Sequence, residues 1–339
     1  MFFSTMSTVK SQISNLQSAL LAAYPEDEAR SLAWWIMEEL TGKSRTELQF
    51  GCKDTTFSPI MQEKSQEIIS RLLHFEPIQY IFGHTLWCGL DLLVTPATLI
   101  PRPETAELVE RVSNLKFEIS NLKSPIRVLD IGTGSGCIAI ALKKAHPSWS
   151  VTGIDISPEA IAIARENARR NKVEVNFQVA DIFDFNEENP KFEEIVPPAG
   201  KEILNPKYDV VVSNPPYICE SEKSSMRPNV LNFEPSSALF VPDSDPLKFY
   251  RKIAKIFSPP FTGEGLCPIG LPVAVRRTSS GVGLSLPFRE GSGLGLFFEI
   301  NESYASEISA MLSGLGYTDI QIHKDIYGKD RIIEARMAR

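Results

Sequence analysis

The sequence has few of the residues that build metal centres and disulfide frameworks. It contains five cysteines and four histidines in 339 residues. The cysteines stand at irregular spacings without a C-x-x-C pair, and the histidines lie far apart along the chain. A zinc site and a disulfide-stapled fold are therefore not indicated, and we expect no bound metal. Cysteine usage of this kind is typical of a reducing compartment.

The sequence also lacks long apolar runs and an excess of positive charge. No segment approaches the roughly 18 consecutive apolar residues of a membrane span. Residues 1–10 contain one basic residue and no apolar signal region. The formal net charge of −7 disfavours a protein that coats nucleic acid. We expect a cytoplasmic protein with neither a membrane partner nor direct sequence-specific binding to nucleic acid.

Helical periodicity dominates the first part of the chain. Apolar residues recur at intervals of three and four over residues 16–40, which predicts helices. Gly42 follows this run and favours a helix end at that point. The adjacent tryptophans Trp34 and Trp35 fit either a binding surface or the packing of a small bundle, and we favour packing. We predict a helical domain over residues 1–90.

From residue 127 the pattern changes to alternating strands and helices. Short runs rich in β-branched residues predict strands over 127–131, 151–155, 175–179, 208–213 and 294–300, with a closing pair over 319–323 and 331–335. Between two of these strands, Ser157 and Pro158 favour the start of a helix. The alternation predicts an α/β fold, with a mainly parallel sheet covered by helices on both faces. We assign residues 91–339 to this second domain.

Glycine and proline are concentrated in one stretch of the second domain. Residues 258–295 contain eight glycines and five prolines, in a place where a connection of a few residues would suffice. The segment fits either a functional lid or a tolerated surface insertion, and we favour the insertion.

A glycine-rich turn follows the first predicted strand and reads D-I-G-T-G-S-G over residues 130–136. Cys137 stands where the dinucleotide fingerprint G-x-G-x-x-G has its third glycine, which argues against a hydride-transfer fold. Asp155 ends the next strand, and an acidic residue at that position binds ribose hydroxyls in related sites. Together these features predict a site for a nucleoside without a pyrophosphate. A tight turn without a ligand is the alternative.

Asp181 and Ile182 follow the third strand, at the sheet edge where ligands bind in open α/β folds. Asp181 could hold an adenine amino group while Ile182 packs on the ring. The alternative is that Asp181 is a solvated turn residue.

The sequence Asn214-Pro215-Pro216-Tyr217 follows the fourth strand. Its two prolines predict a rigid corner with free backbone carbonyls. The oxygens of Asn214 and of a proline carbonyl can accept the two protons of a planar NH2 group, and Tyr217 can pack against its plane. Because such a nitrogen is a weak nucleophile, positioning it against an electrophilic methyl group is the main catalytic device.

These motifs, in this order, resemble a class I S-adenosylmethionine-dependent methyltransferase of the amino-methylating kind. Further segments narrow the resemblance: P-I-Q-Y-I-x-G over 77–83, L-I-P-R-P-E-T over 99–105, F-E-P over 233–235 and D-x-x-G-x-D-R over 325–331. Together they resemble the HemK/PrmC family of protein-(glutamine-N5) methyltransferases, which modify the GGQ motif of peptide chain release factors. The resemblance covers nearly the whole chain.

The resemblance implies a Rossmann-like domain with a seven-stranded, mostly parallel sheet, a helical substrate-recognition domain and the cofactor S-adenosyl-L-methionine. It assigns cofactor contacts to Gly132, Thr133, Gly134, Ser135, Gly136, Asp155, Asp181, Ile182 and Asn214. It assigns the catalytic contacts with glutamine to Asn214, Pro215, Pro216 and Tyr217. The family often has an aromatic residue where Ile182 stands, so we expect apolar packing there. Arg102 and Glu104 either order the site entrance or pair with each other.

Three functions follow from these patterns. We favour methylation of the glutamine amide of release factors. An adenine-N6 nucleic-acid methyltransferase is the first alternative, because Asn-Pro-Pro-Tyr also suits the amine of a flipped base, although the net charge of −7 counts against it. The second alternative is a non-catalytic module that binds a ribosome-associated partner, and the intact cofactor and amide motifs argue against it.

Overall fold

The computed structural model describes residues 9–50, 57–115, 125–185, 208–258 and 294–337, together with the backbone of 276–278. The chain divides into two compact units. One comprises residues 1–84 and 227–233, and the other comprises residues 85–226 and 234–339. The sequence predicted a single domain boundary at residue 90, which is near the first change of unit at residue 85. It did not predict the return of the chain to the first unit over residues 227–233.

The first unit is helical. Its first helices are α1 (Val9–Leu20), α2 (Glu26–Thr41), α3 (Arg45–Phe50), α4 (Pro59–Leu73) and α5 (Ile78–Phe82). Leu16, Ile36 and Leu72 bring α1, α2 and α4 together in one buried cluster. Gly42 has φ of +65°, and its amide donates to the carbonyl oxygen of Glu38. This left-handed residue ends α2 where the sequence predicted.

The paired tryptophans do not behave alike. Trp34 packs partly buried against the helical core, and the guanidinium of Arg45 lies 4.7 Å from the centre of its ring. Trp35 exposes 46% of its surface. Residues four apart lie on the same side of a helix, and Trp35 shares its side of α2 with Ser31 and Glu39, which are exposed as well. The packing interpretation is confirmed for Trp34 and wrong for Trp35.

The second unit is built on one large sheet. The strands described along the chain are β1 (His84–Trp87), β2 (Leu90–Leu93), β3 (Arg127–Ile131), β4 (Ser150–Asp155), β5 (Asn176–Val179), β6 (Val210–Ser213), β7 (Ile218–Cys219), β8 (Phe240–Val241), β9 (Arg276–Thr278), β10 (Leu294–Glu299), β11 (Thr318–Lys324) and β12 (Asp330–Met337). The large sheet has the order β5-β4-β3-β6-β10-β12-β11-β9, while β1 pairs with β2 and β7 with β8.

The pairing in the large sheet is mostly parallel, as the sequence predicted. The strands from β5 to β10 pair in parallel, and β12 pairs antiparallel with both β10 and β11. The predicted closing pair is thus confirmed. Because β3, β4 and β6 are parallel neighbours, their carboxyl ends meet at one edge, where ligands bind in such sheets.

Helices cover both faces of this sheet. They are α6 (Pro103–Ser113), α7 (Cys137–Ala145), α8 (Pro158–Asn171), α10 (Lys248–Phe257) and α11 (Ala305–Gly314), while α9 (Pro228–Phe233) belongs to the first unit. Neighbouring β3 residues point to opposite faces. Val128 packs in one buried cluster with Leu108 of α6, whereas Leu129 packs in another with Ile253 of α10. The predicted three-layer α/β fold is confirmed.

Most of the Gly- and Pro-rich segment lies outside the described residues. The lid or insertion was predicted over residues 258–295, and of residues 259–293 the structure describes only the backbone of β9. This short strand pairs in parallel with β11. None of the helices in the described ranges is long and apolar enough to cross a membrane.

Candidate active site

The glycine-rich turn joins the end of β3 to the start of α7. Gly132, Gly134 and Gly136 have φ of +71°, +53° and +80°, a region that residues with a side chain rarely adopt. The backbone amides of Gly132 and Thr133 both donate to the carbonyl oxygen of Ile154, at 2.9 Å in each case. These bonds hold the turn against the end of β4.

The three glycines differ in what a side chain would meet. A Cβ atom on Gly132 or Gly134 would meet nothing within 4 Å, and both residues line a cavity. A Cβ on Gly136 would lie 3.0 Å from the Phe177 ring and 3.1 Å from Ala164. The first two glycines therefore leave room for a ligand close to the backbone. Gly136 instead allows the turn to pack closely against β5 and α8.

Asp155 ends β4, and its carboxylate faces the turn. Oδ2 accepts a hydrogen bond from the backbone amide of Gly134 at 2.8 Å, and Oδ1 accepts one from Ser157 at 3.0 Å. Burial raises the pKa of this carboxyl, while the two hydrogen bonds oppose the change. Each carboxylate oxygen can accept a further hydrogen bond. Asp155 lines the cavity and can therefore accept bonds from a pair of hydroxyl groups.

Asp130 lies at the end of β3 and is completely buried. Its Oδ2 accepts a hydrogen bond from the hydroxyl of Thr133 at 2.6 Å. Burial raises the pKa of the Asp130 carboxyl to about 7, against the opposing effect of the Thr133 bond. Among the described residues that line the cavity, Asp130 is absent. Its carboxyl therefore stabilises the glycine-rich turn through Thr133 and is not part of the cavity lining.

The turn after β5 carries an aromatic residue that the sequence analysis missed. Asp181 Oδ1 accepts a hydrogen bond from the Phe183 amide at 2.8 Å and so begins a short 3₁₀ turn. Ile182 is buried in the cavity wall, and Phe183 lines the same cavity. The ammonium of Lys248 lies 4.4 Å from the centre of the Phe183 ring. The sequence offered one signal for Phe183, namely its place directly after Ile182, the residue predicted to pack on the adenine ring.

The Asn-Pro-Pro corner follows β6 at the carboxyl edge of the sheet. Asn214, Pro215 and Pro216 all line the cavity. The Asn214 Nδ2 donates to the hydroxyl oxygen of Thr105 at 3.2 Å. Thr105 lies in the first turn of α6, and the sequence analysis did not include it in the site.

Tyr217 lies behind the cavity wall. It is absent from the described residues that line the cavity, and its hydroxyl donates to Oε1 of Glu299 at 3.0 Å. The other oxygen of Glu299, Oε2, accepts from the Thr105 hydroxyl at 2.7 Å. Burial raises the pKa of the Glu299 carboxyl, and both hydrogen bonds oppose this. A substrate contact by Tyr217 stays a prediction.

Arg102 has a partner that neither of the two expectations named. Its guanidinium donates to Oε1 of Glu234 at 2.6 Å, and the Glu234 side chain is almost completely buried. The second oxygen of Glu234 accepts from the backbone amide of Ile100 at 3.2 Å. The ion pair therefore joins two of the sequence motifs, L-I-P-R-P-E-T and F-E-P, beside the cavity that Arg102 lines.

One cavity of about 440 Å³ connects these groups. This volume is in the range of roughly 300–1,000 Å³ that small-molecule sites occupy. Of the residues predicted to contact the cofactor, the following line it: Gly132, Thr133, Gly134, Ser135, Asp155, Asp181, Ile182 and Asn214. Gly136 does not, in agreement with its role in packing. The predicted residues thus converge from β3, β4, β5 and β6 on one space.

Comparison with known proteins gives matches in both units. Residues 13–83 match the family model described as the PrmC N-terminal domain, and residues 122–261 match a methyltransferase domain. The release factor glutamine methyltransferase of Bacteroides thetaiotaomicron is 38% identical over 320 residues, covering 94% of this chain and 97% of that protein. The release factor glutamine methyltransferase of Flavobacterium psychrophilum is 36% identical, with 96% and 98% covered.

Proposed function

Since this chain belongs to the family of release factor glutamine methyltransferases, we propose that it methylates the glutamine of the GGQ motif in peptide chain release factors. The methyl group comes from S-adenosyl-L-methionine, and the acceptor is the side-chain amide nitrogen, N5. One observation carries the proposal: the Asn214 amide and the glycine-rich turn line the same cavity. That cavity can therefore hold a nucleoside and an amide side by side.

The cavity residues fit S-adenosylmethionine, which supplies an electrophilic methyl group when bound. Gly132 and Gly134 leave their backbone open to close approach. Asp155 would accept hydrogen bonds from the ribose hydroxyls, as acidic residues at this position do in related folds. Asp181 and Ile182 would hold the adenine, with Ile182 supplying an apolar surface.

The Asn-Pro-Pro corner would hold the substrate amide. The Nδ2 of Asn214 is bonded to Thr105, which leaves Oδ1 to accept one amide proton of the glutamine. A proline carbonyl of the corner would accept the other. Because the lone pair of an amide nitrogen is delocalised, holding it in line with the methyl group is the main catalytic contribution. Orientation of this kind can lower a barrier by about 7–11 kcal/mol.

The helical unit would recognise the release factor. An open groove of about 320 Å³ on this unit is lined by Trp34, the exposed Trp35, Glu28 and Glu38, among others. An exposed aromatic residue in an open groove suits contact with an apolar group on a protein surface. Since release factors act on the ribosome, the same proposal places the enzyme in the cytoplasm.

The adenine-N6 alternative is not favoured. The curated relatives that match most of the chain carry the name of a release factor enzyme, and the net charge of −7 gives no support for binding a phosphate backbone.

The direct test is a transfer assay with labelled S-adenosylmethionine and a purified release factor. We expect label on the release factor and its loss when the GGQ glutamine is replaced. Mass spectrometry then locates the methyl group. Label that enters DNA or RNA instead of the release factor would reverse the choice of substrate.

A variant pair tests the role of Asn214. Asn214→Ala removes the amide that would accept a substrate proton, so we expect turnover to fall about 100-fold. Binding of S-adenosylhomocysteine, measured by calorimetry, should change only a few-fold. Asn171→Ala is the matched control, because it removes an asparagine from α8 that bonds to Asp91 and Asn167 and is absent from the cavity lining. Full activity of Asn214→Ala would refute this account of the amide site.

A further inference from the structure

The usefulness of Asn214 depends on which way its amide is turned. One end of an asparagine amide only accepts hydrogen bonds and the other only donates them, although the two ends have nearly the same shape. To bind a substrate N–H group, the oxygen must face the cavity. Something outside the amide must therefore select between the two orientations.

Thr105 makes this selection. Its hydroxyl carries one proton, and a carboxylate oxygen of Glu299 lies 2.7 Å away. An ionised carboxylate can only accept, so the threonine proton points to Glu299. The Thr105 oxygen then offers only lone pairs to Asn214. The nitrogen end of the asparagine amide must face Thr105, at 3.2 Å, and Oδ1 is left for the substrate.

The contacts of Glu299 keep it a hydrogen-bond acceptor, so that it does not donate a proton to Thr105. Its side chain is buried at the end of β10, and its second oxygen accepts from the Tyr217 hydroxyl at 3.0 Å. Both carboxylate oxygens thus accept a hydroxyl proton. Burial raises the pKa of the Glu299 carboxyl, whereas the two hydroxyl bonds and the positive charge of Arg331 oppose this change and favour the ionised form. Arg331 itself is fixed by Asp325, with 3.1 Å between Nε and Oδ2.

We infer that Thr105 and Glu299 are positioning residues, which turn the carboxamide oxygen of Asn214 toward the cavity and so toward the substrate amide. This inference rests on the proposed methylation of a glutamine amide. It gives a function to the last residue of the L-I-P-R-P-E-T motif and to the glutamate at the end of β10. A tether between α6 and the sheet is the purely structural alternative, because the bond joins residues 194 positions apart.

The two interpretations predict different behaviour for variants of Thr105. Thr105→Val keeps the shape but has no oxygen, so Asn214 loses the neighbour that orients it. We expect kcat to fall at least about tenfold, since a misplaced group can cost up to about 100-fold. The KM for the release factor and the affinity for S-adenosylhomocysteine should change less than about threefold. Thr105→Ser restores the hydroxyl and should recover most of kcat.

A control separates loss of stability from loss of orientation. Thr152→Val removes another buried threonine hydroxyl, which bonds to Tyr208 away from the cavity lining. It should lower the melting temperature comparably but leave kcat near that of the wild type. If Thr105→Val does not fold, Glu299→Gln replaces it. A carboxamide can donate as well as accept, so it no longer fixes the direction of the Thr105 proton, and kcat should fall at least about fivefold.

Two failures can be told apart. A wild-type protein that binds S-adenosylhomocysteine but methylates no release factor overturns the proposed function. An active wild type whose folded Thr105→Val variant keeps its kcat overturns the positioning role. A Thr105→Ser variant as slow as Thr105→Val overturns it as well, because the hydroxyl would then not be the group that matters.

Discussion

The buried carboxyl of Asp130 should make the stability of the second unit depend on pH. The side chain is completely buried at the end of β3, and the hydroxyl of Thr133 donates to one of its oxygens at 2.6 Å. Burial raises the carboxyl pKa from its ordinary value of 3.8 to about 7. The hydrogen bonds from the Thr133 hydroxyl and the Ala139 backbone do not replace the water that an ionised carboxylate loses.

The sign and size of the effect follow from the two pKa values. Because the folded-state pKa is the higher one, the contribution of Asp130 to stability is complete below pH 3.8 and is lost as the pH rises through about 7. Each pKa unit corresponds to about 1.4 kcal/mol. The ionised carboxylate therefore lowers the free energy of unfolding by about 4 kcal/mol at pH 8. About 3 kcal/mol of this decrease occurs between pH 5 and pH 8.

Urea unfolding of the ligand-free protein at pH 5 and pH 8 measures this loss. Asp130→Asn keeps an oxygen for the Thr133 hydroxyl but carries no charge at either pH. Between pH 5 and pH 8, we expect the free energy of unfolding of the wild type to fall by about 3 kcal/mol more than that of this variant. Asp319→Asn, at an exposed position, is the control and should follow the wild type. If Asp130→Asn follows the wild type as well, the carboxyl does not titrate as argued.

Two further predictions concern the glycine turn and the helical unit. Gly136→Ala should destabilise the protein by about 2 kcal/mol in urea unfolding, because its Cβ would lie 3.0 Å from Phe177 at a φ of +80°. Gly134→Ala meets no such contact and should weaken S-adenosylhomocysteine binding more than it weakens the fold. Trp35→Ala should raise the KM for the release factor severalfold without changing cofactor binding, whereas Phe50→Ala, exposed outside the groove, should not.

Local signals account for the parts of the fold that the sequence predicted. Strands of a parallel sheet are buried on both sides and stand out as short apolar runs, and β3, β4 and β6 were found in this way. Capping residues act on their own helix. Ser157 accepts a hydrogen bond from the amide of Ala160 at 3.1 Å, as its place before Pro158 indicated.

Contacts between distant residues account for what the sequence could not show. Thr105 and Glu299 are 194 positions apart, and Arg102 and Glu234 are 132 apart. Neither pair leaves a local pattern. The sequence analysis predicts no helix over the L-I-P-R-P-E-T segment, yet Pro103 is the first residue of α6, where proline costs no hydrogen bond.

The composition of the cavity explains why orientation matters so much at this site. Among the described residues that line it, the ionisable ones are Arg102, Cys137, Asp155, Asp181 and Lys248. Burial raises the pKa of the Cys137 thiol to about 12, and Asp155 already accepts bonds from two backbone amides. A strong base at the acceptor nitrogen is not needed, because the amide nitrogen becomes positively charged when it gains the methyl group, and this acidic cation can release its proton to water. The rate enhancement then rests on holding the nitrogen in line, so errors in the orientation of the asparagine amide should appear in kcat rather than in binding.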